Sequence, residues 1–133
     1  LTDSSAASDV YKRQLRNNKI VDTVSPLMKN LFNPANQRFL IDANRYKPVE
    51  EISKLDIPVL ILQGTNDIQI EVTDAQMLDE AALKSRLEII KGMNHVFRQA
   101  SENYLLNMQT YGNPELPIDN SLVNLIVDFL NED

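Results

Sequence analysis

The chain contains no cysteine and no tryptophan, and only one histidine and three glycines among its 133 residues. Without cysteine there is no disulfide, no thiolate zinc site and no cysteine nucleophile. Gly64, Gly92 and Gly112 are too dispersed for the spaced glycines of a dinucleotide-binding loop. Basic side chains are in the minority, 13 against 19 acidic ones, giving a net charge of −6. A nucleic-acid surface needs a clustered basic face, so that class of partner is not expected. Long apolar runs are missing as well. The longest is Val59-Leu60-Ile61-Leu62, far short of the ~20 residues that cross a bilayer as a helix.

What is present is enough for a packed interior. Apolar residues make up 43% of the chain, which excludes a disordered tail. The length suits one domain or part of one. Residues 1–14 (LTDSSAASDVYKRQ) have neither the apolar core of a signal peptide nor a clear amphipathic face, and are expected to be a non-native leader. The compartment is therefore left open.

From 15 to 55 the pattern is helical and punctuated by proline. Ile20, Val24, Leu27, Met28 and Leu31 recur on one helical face. Ser25-Pro26 and Asn33-Pro34 each pair a capping residue with a proline suited to a first turn. Helices are predicted at about 9–24, 26–32 and 34–44, with a short one opening at Pro48.

The centre changes character. Residues 57–63 (IPVLILQ) are apolar without alternation and stop at Gly64, as expected of a parallel strand buried on both faces. Thr73-x-x-Gln76 matches a capping box, and a helix should run from there to about Leu83. Residues 86–91 (RLEIIK), ended by Gly92, read as a second strand. Strand, helix, strand makes a βαβ unit. A helix near 99–109 follows, and Leu122, Leu125, Ile126, Phe129 and Leu130 mark a final amphipathic helix after the candidate caps Asp119, Asn120 and Ser121. Two strands make a marginal sheet, so the expected fold class is the C-terminal part of a larger α/β domain.

Parallel pairing has a chemical consequence. Asp67 lies four residues beyond the first expected strand, and His95 four beyond the second. Both loops would leave the carboxyl edge, where open α/β sheets bind ligands. With neighbouring strands ~4.8 Å apart, the carboxylate and the only imidazole can meet. Such an aspartate fixes the histidine tautomer and stabilises the imidazolium. Each residue also has an ordinary reading, the histidine as a solvated loop residue and Asn66-Asp67 as turn chemistry.

The segment Leu55–Asp67 (LDIPVLILQGTND), followed by a helix, a strand and Gly92-Met93-Asn94-His95, resembles the C-terminal half of an α/β-hydrolase. In that family a strand ending in Gly-x-x-Asp carries the triad acid, and a later strand precedes the triad histidine. The resemblance covers about 48–131 and is similar to serine esterases, monoacylglycerol lipases and proline-type aminopeptidases. It implies Asp67 as acid and His95 as base, with 48–133 as part of the core and 15–47 as part of a cap or lid. It also implies a small ester or amide substrate and no cofactor or metal. The family's nucleophile sits in Gly-x-Ser-x-Gly. Upstream of Asp67 the serines are Ser4, Ser5, Ser8, Ser25 and Ser53, and Gly64 is the only upstream glycine. No elbow can be built, so the chain is expected to supply acid and base without the nucleophile.

Other combinations are weaker. Asp67, Asp74 and His95 offer three hard ligands for a metal, with nothing to orient them. The stripe Leu27, Met28, Leu31 and Phe32 fits an acyl-pocket wall or, more simply, core. Arg98 reads either as a partner for a substrate carboxylate or as a solvated helix-start residue. The rival function from another class is a non-catalytic α/β binding or interaction module, whose exposed strand edge would pair with a partner.

Overall fold

Two parallel strands organise the latter part of the chain. β1 (Val59–Gly64) pairs with β2 (Ser85–Ile90) in a register that runs from Val59 opposite Ser85 to Gly64 opposite Ile90. The computed structural model describes residues 13–22 and 33–132, which fall into two units parted between Lys47 and Pro48. The architecture is mixed α/β, with a two-stranded parallel sheet among the described residues.

In the first unit, residues 13–16 are helical and the helix stops there, where the expected helix over 9–24 would run on through 22. Asn18 adopts a left-handed φ of 57°. Its N–H donates to Leu15 O at 2.9 Å, and that of Lys19 reaches Gln14 O at 3.0 Å. This is a Schellman stop with asparagine in place of glycine. Ile20 follows it and is exposed. Helix α1 (Pro34–Ala43) begins as expected, with Asn33 Oδ1 accepting from Asn36 N–H at 3.0 Å and Pro34 in the first turn. Gln37 is fully buried and its amide pairs with both backbone groups of Val21. The expected helix 26–32 and the stripe Leu27, Met28, Leu31 and Phe32 lie outside the described residues.

The second unit opens with the short helix α2 (Pro48–Ile52). β1 starts two residues later than expected because Pro58 has no N–H to donate. The first ladder bond is Val59 N–H to Lys84 O at 2.8 Å, and Ile57 stays exposed. Helix α3 (Val72–Ala81) joins the strands and buries Ala75 against them. Its cap differs from the Thr73/Gln76 expectation. Glu71 is the cap residue, and Asp74 reaches back to accept from the Glu71 N–H at 3.1 Å. A carboxylate there also faces the positive end of the helix, an advantage Gln76 lacks.

After β2 come α4 (Tyr104–Thr110) and α5 (Asn120–Leu130). α4 is shorter than the expected 99–109, since 98–100 are bonded elsewhere and Asn103 caps the helix by accepting from Leu105 and Leu106 N–H. On α5, Leu122 joins Ile90 and Met93 in the core, with Leu62 and Leu125 packed around them. Ile126 and Leu130, expected on that face, are exposed, as are Val123 and Val127. No helix among the described residues is long and apolar enough to cross a membrane.

Candidate active site

The carboxyl ends of β1 and β2 carry two loops that are bonded to one another. Gly64 makes this possible, because a β-carbon there would lie 2.0 Å from Met93 O. Past Gly64, Thr65 N–H donates to Ile90 O and Asn66 N–H to Met93 O, both at 3.0 Å. Gly92 N–H returns a bond to Thr65 Oγ1 at 2.8 Å.

The second loop folds back as a tight hairpin. Asn94 N–H donates to Arg98 O at 2.9 Å and Ala100 N–H to Gly92 O at 3.0 Å. Gly92 takes a positive φ of 79°, and Phe97 takes the left-handed region at 61°. A strained backbone of that kind persists only where its neighbours fix it. Here Phe97 N–H bonds Asn94 O at 3.0 Å, while Phe97 O accepts from Asp119 N–H at 2.8 Å. His95 sits at the hairpin tip.

The two sequence-derived candidates meet. His95 Nδ1 is 2.9 Å from Asp67 Oδ2. The Asp67 side chain is 7% exposed and the imidazole 41%, so the carboxylate is enclosed and the ring is open to solvent. Burial alone would raise the Asp67 carboxyl. That effect is outweighed by the Gln69 N–H, His95, the Ile70 N–H and the Gln63 amide, which together hold it below the ordinary aspartate value. Oδ1 takes the two backbone donors at 2.8 and 3.1 Å, which fixes the carboxylate's rotation. An ionised carboxylate only accepts, so Nδ1 carries a proton, and in the neutral ring Nε2 is then the atom with the lone pair. This arrangement suits proton abstraction at Nε2, with the resulting imidazolium stabilised by Asp67.

A layer of buried amides lies beneath the pair, and the sequence pattern had not marked it. Asn94 and Asn107 are each 1% exposed. Asn94 Nδ2 donates to Asn107 Oδ1 at 2.9 Å and to Thr110 Oγ1 at 2.7 Å. Asn107 Nδ2 donates to Asn66 O at 2.7 Å and Ser101 O at 3.2 Å. Asn66 Nδ2 donates to Ala100 O at 2.7 Å. The asparagine before each candidate thus anchors its loop, and α4 joins the two. The one available signal was the repeated order, Asn66-Asp67 and Asn94-His95.

Arg98 is not a helix-start residue. It lies in the hairpin's return arm, and its Nη1 donates to Thr110 O at 2.8 Å, clamping the end of α4. Asp74 caps α3 instead of joining Asp67 and His95. Among the described residues no group of three His, Cys, Asp or Glu is placed to hold a metal. A cleft of about 160 Å³ opens over the pair, with Leu62, Ile70, Met93 and Phe97 as its apolar walls. The chain matches no protein-family model and none of the curated proteins with which it was compared.

Proposed function

We propose that the chain supplies the acid and base of a Ser-His-Asp triad in a serine hydrolase of the α/β-hydrolase type, acting on ester or amide bonds of small substrates. The observation that carries this reading is the 2.9 Å contact between His95 Nδ1 and Asp67 Oδ2 at the carboxyl edge of two adjacent parallel strands. In the reaction, Nε2 of His95 takes the proton of a serine hydroxyl as that oxygen attacks the carbonyl, then delivers it to the leaving group. Asp67 remains ionised throughout. No serine upstream of Asp67 stands in a Gly-x-Ser-x-Gly elbow. In this proposal the nucleophile and the oxyanion donors come from a polypeptide segment outside these residues.

The test uses the complete polypeptide encoded with this segment. It should contain the elbow, label with a fluorophosphonate at that serine, and hydrolyse p-nitrophenyl acetate. A complete polypeptide with no elbow and no turnover would favour the non-catalytic binding module. That second reading draws on the exposed Val123, Val127 and Leu130 of α5.

A further inference from the structure

Gln63, the residue before Gly64, is 7% exposed and hence almost wholly buried at the end of β1. Its Nε2 lies 3.1 Å from Gly64 O, 3.2 Å from Ile70 O and 3.3 Å from Asp67 Oδ2. All three neighbours are acceptors, so the amide must present its NH₂ group to them. The two carbonyls tether that group, and the third contact falls on the oxygen that faces His95. The NH₂ group has two protons for three acceptors, so Oδ2 receives a donor shared with a carbonyl beside the one from the imidazole. Oδ1 is already occupied by the Gln69 and Ile70 N–H groups. The carboxylate's rotation does not depend on Gln63. Its charge distribution does.

We propose that Gln63 is a positioning residue that acts through Asp67, setting how strongly the carboxylate holds the His95 imidazolium. A neutral donor on Oδ2 draws off part of the negative charge that would otherwise act on Nδ1–H. With the amide in place, the imidazolium gives up its proton more readily, as a base that must also act as an acid requires. This inference rests on reading Asp67 and His95 as an acid–base pair.

The sign of the effect separates tuning from simple packing. Gln63→Met keeps length and bulk without a donor, so the undiluted Asp67 charge holds the imidazolium more tightly. Gln63→Leu likewise removes the donor while keeping most of the bulk. Both should raise the pH at which His95 loses its proton. If Gln63 only filled space, Gln63→Met would fill it as well and leave that pH unchanged.

His95 is the only histidine among these 133 residues, so in the complete polypeptide carbethoxylation by diethylpyrocarbonate is followed by the mass of the peptide that carries His95, which reads that single site. Its rate against pH gives the imidazole midpoint in the wild type, Gln63→Met, Gln63→Leu and Asp67→Asn. Circular dichroism selects the folded variants. The expected result is an upward shift of ~0.5–1 unit in Gln63→Met, a shift of the same sign in Gln63→Leu, and a downward shift in Asp67→Asn. A midpoint unchanged or lowered in a folded Gln63 variant, with Asp67→Asn shifted downward, overturns the role of Gln63 alone. No shift in Asp67→Asn overturns the pair itself. If Gln63→Met does not fold, Gln63→Leu, which also lacks a donor, decides by the same criterion.

Discussion

Gly64 and Met93 meet backbone to backbone: a β-carbon on Gly64 would stand 2.0 Å from the Met93 carbonyl oxygen and 2.5 Å from its carbon. Neither atom belongs to a flexible side chain that can swing away. The acid loop and the histidine hairpin are close enough to share hydrogen bonds because position 64 has no side chain.

Gly64→Ala should therefore force the two loops apart and cost ~1–3 kcal/mol, the usual range for overpacking a tight interior. Gly112→Ala is the matched control, since a β-carbon there meets nothing within 4 Å. Where the backbone accepts it, such a change stabilises by ~0.4–1 kcal/mol. Urea unfolding midpoints would separate the two. Equal effects would mean that the close approach does not matter.

The contact between Gly64 and Met93 also shows where the sequence was legible. Two short apolar runs, each closed by glycine and separated by a helical pattern, identified the strands and their parallel order. With the order known, matching positions after each strand were enough to bring Asp67 to His95. The amide layer was not legible in the same way. Asn66 and Asn94 look like ordinary turn residues, and Asn107 looks like a polar position on a helix. Their meaning depends on α4 packing beneath both loops, which no local spacing encodes. The cap of α3 was misplaced for a related reason. Thr73 and Gln76 have the right spacing, but Glu71 and Asp74 have it too, and they bring charge to the helix N-terminus.

Replacing Asn107 should disturb both loops at once. Asn107→Ala leaves Asn66 O without its side-chain donor and Asn94 Nδ2 with Thr110 alone, a loss of ~1–3 kcal/mol for buried groups left unpaired. Asn107→Asp should be worse at neutral pH, because an ionised carboxylate would face the carbonyls of Asn66 and Ser101. Burial and those carbonyls raise its folded-state value, so stability should return as the solution is acidified and the group is protonated. Thermal melts at neutral and mildly acid pH would show this. Asn107→Asp matching the wild type at neutral pH would contradict the network.

The pH dependence of the wild type should run the other way. Asp67 is held low by its four hydrogen-bond partners, against the effect of its burial. Asp119 is held low chiefly by the Gln99 side chain, with burial opposing and bonds from Ser121 and Leu122 assisting. A carboxyl depressed in the folded state stabilises fully above its unfolded value of ~3.9. That stability is lost as pH falls through the folded value. Each group can add at most ~1.4 kcal/mol per pH unit to the slope of stability against pH below about 4. Asp67→Asn should be less stable than the wild type near neutrality and show a shallower slope in acid. An unchanged slope would mean that the carboxyl is not held by these contacts.

The most direct measurement is steady-state hydrolysis of a small ester by folded variants of the complete polypeptide: His95→Ala, Asp67→Asn and Asp74→Asn. Removing the imidazole removes the base, so His95→Ala should lower kcat by several orders of magnitude with substrate binding little changed. An amide at 67 lets Nδ1 become the acceptor and leaves Nε2 protonated, so Asp67→Asn should lose roughly 10⁴-fold in kcat. The Asp74 carboxylate accepts from the Glu71 N–H at the start of α3, and its asparagine variant should turn over at close to the wild-type rate. An active His95→Ala enzyme would contradict the hydrolase reading outright. An active Asp67→Asn beside an inactive Asp74→Asn would show that the acid lies at 74 and not at 67.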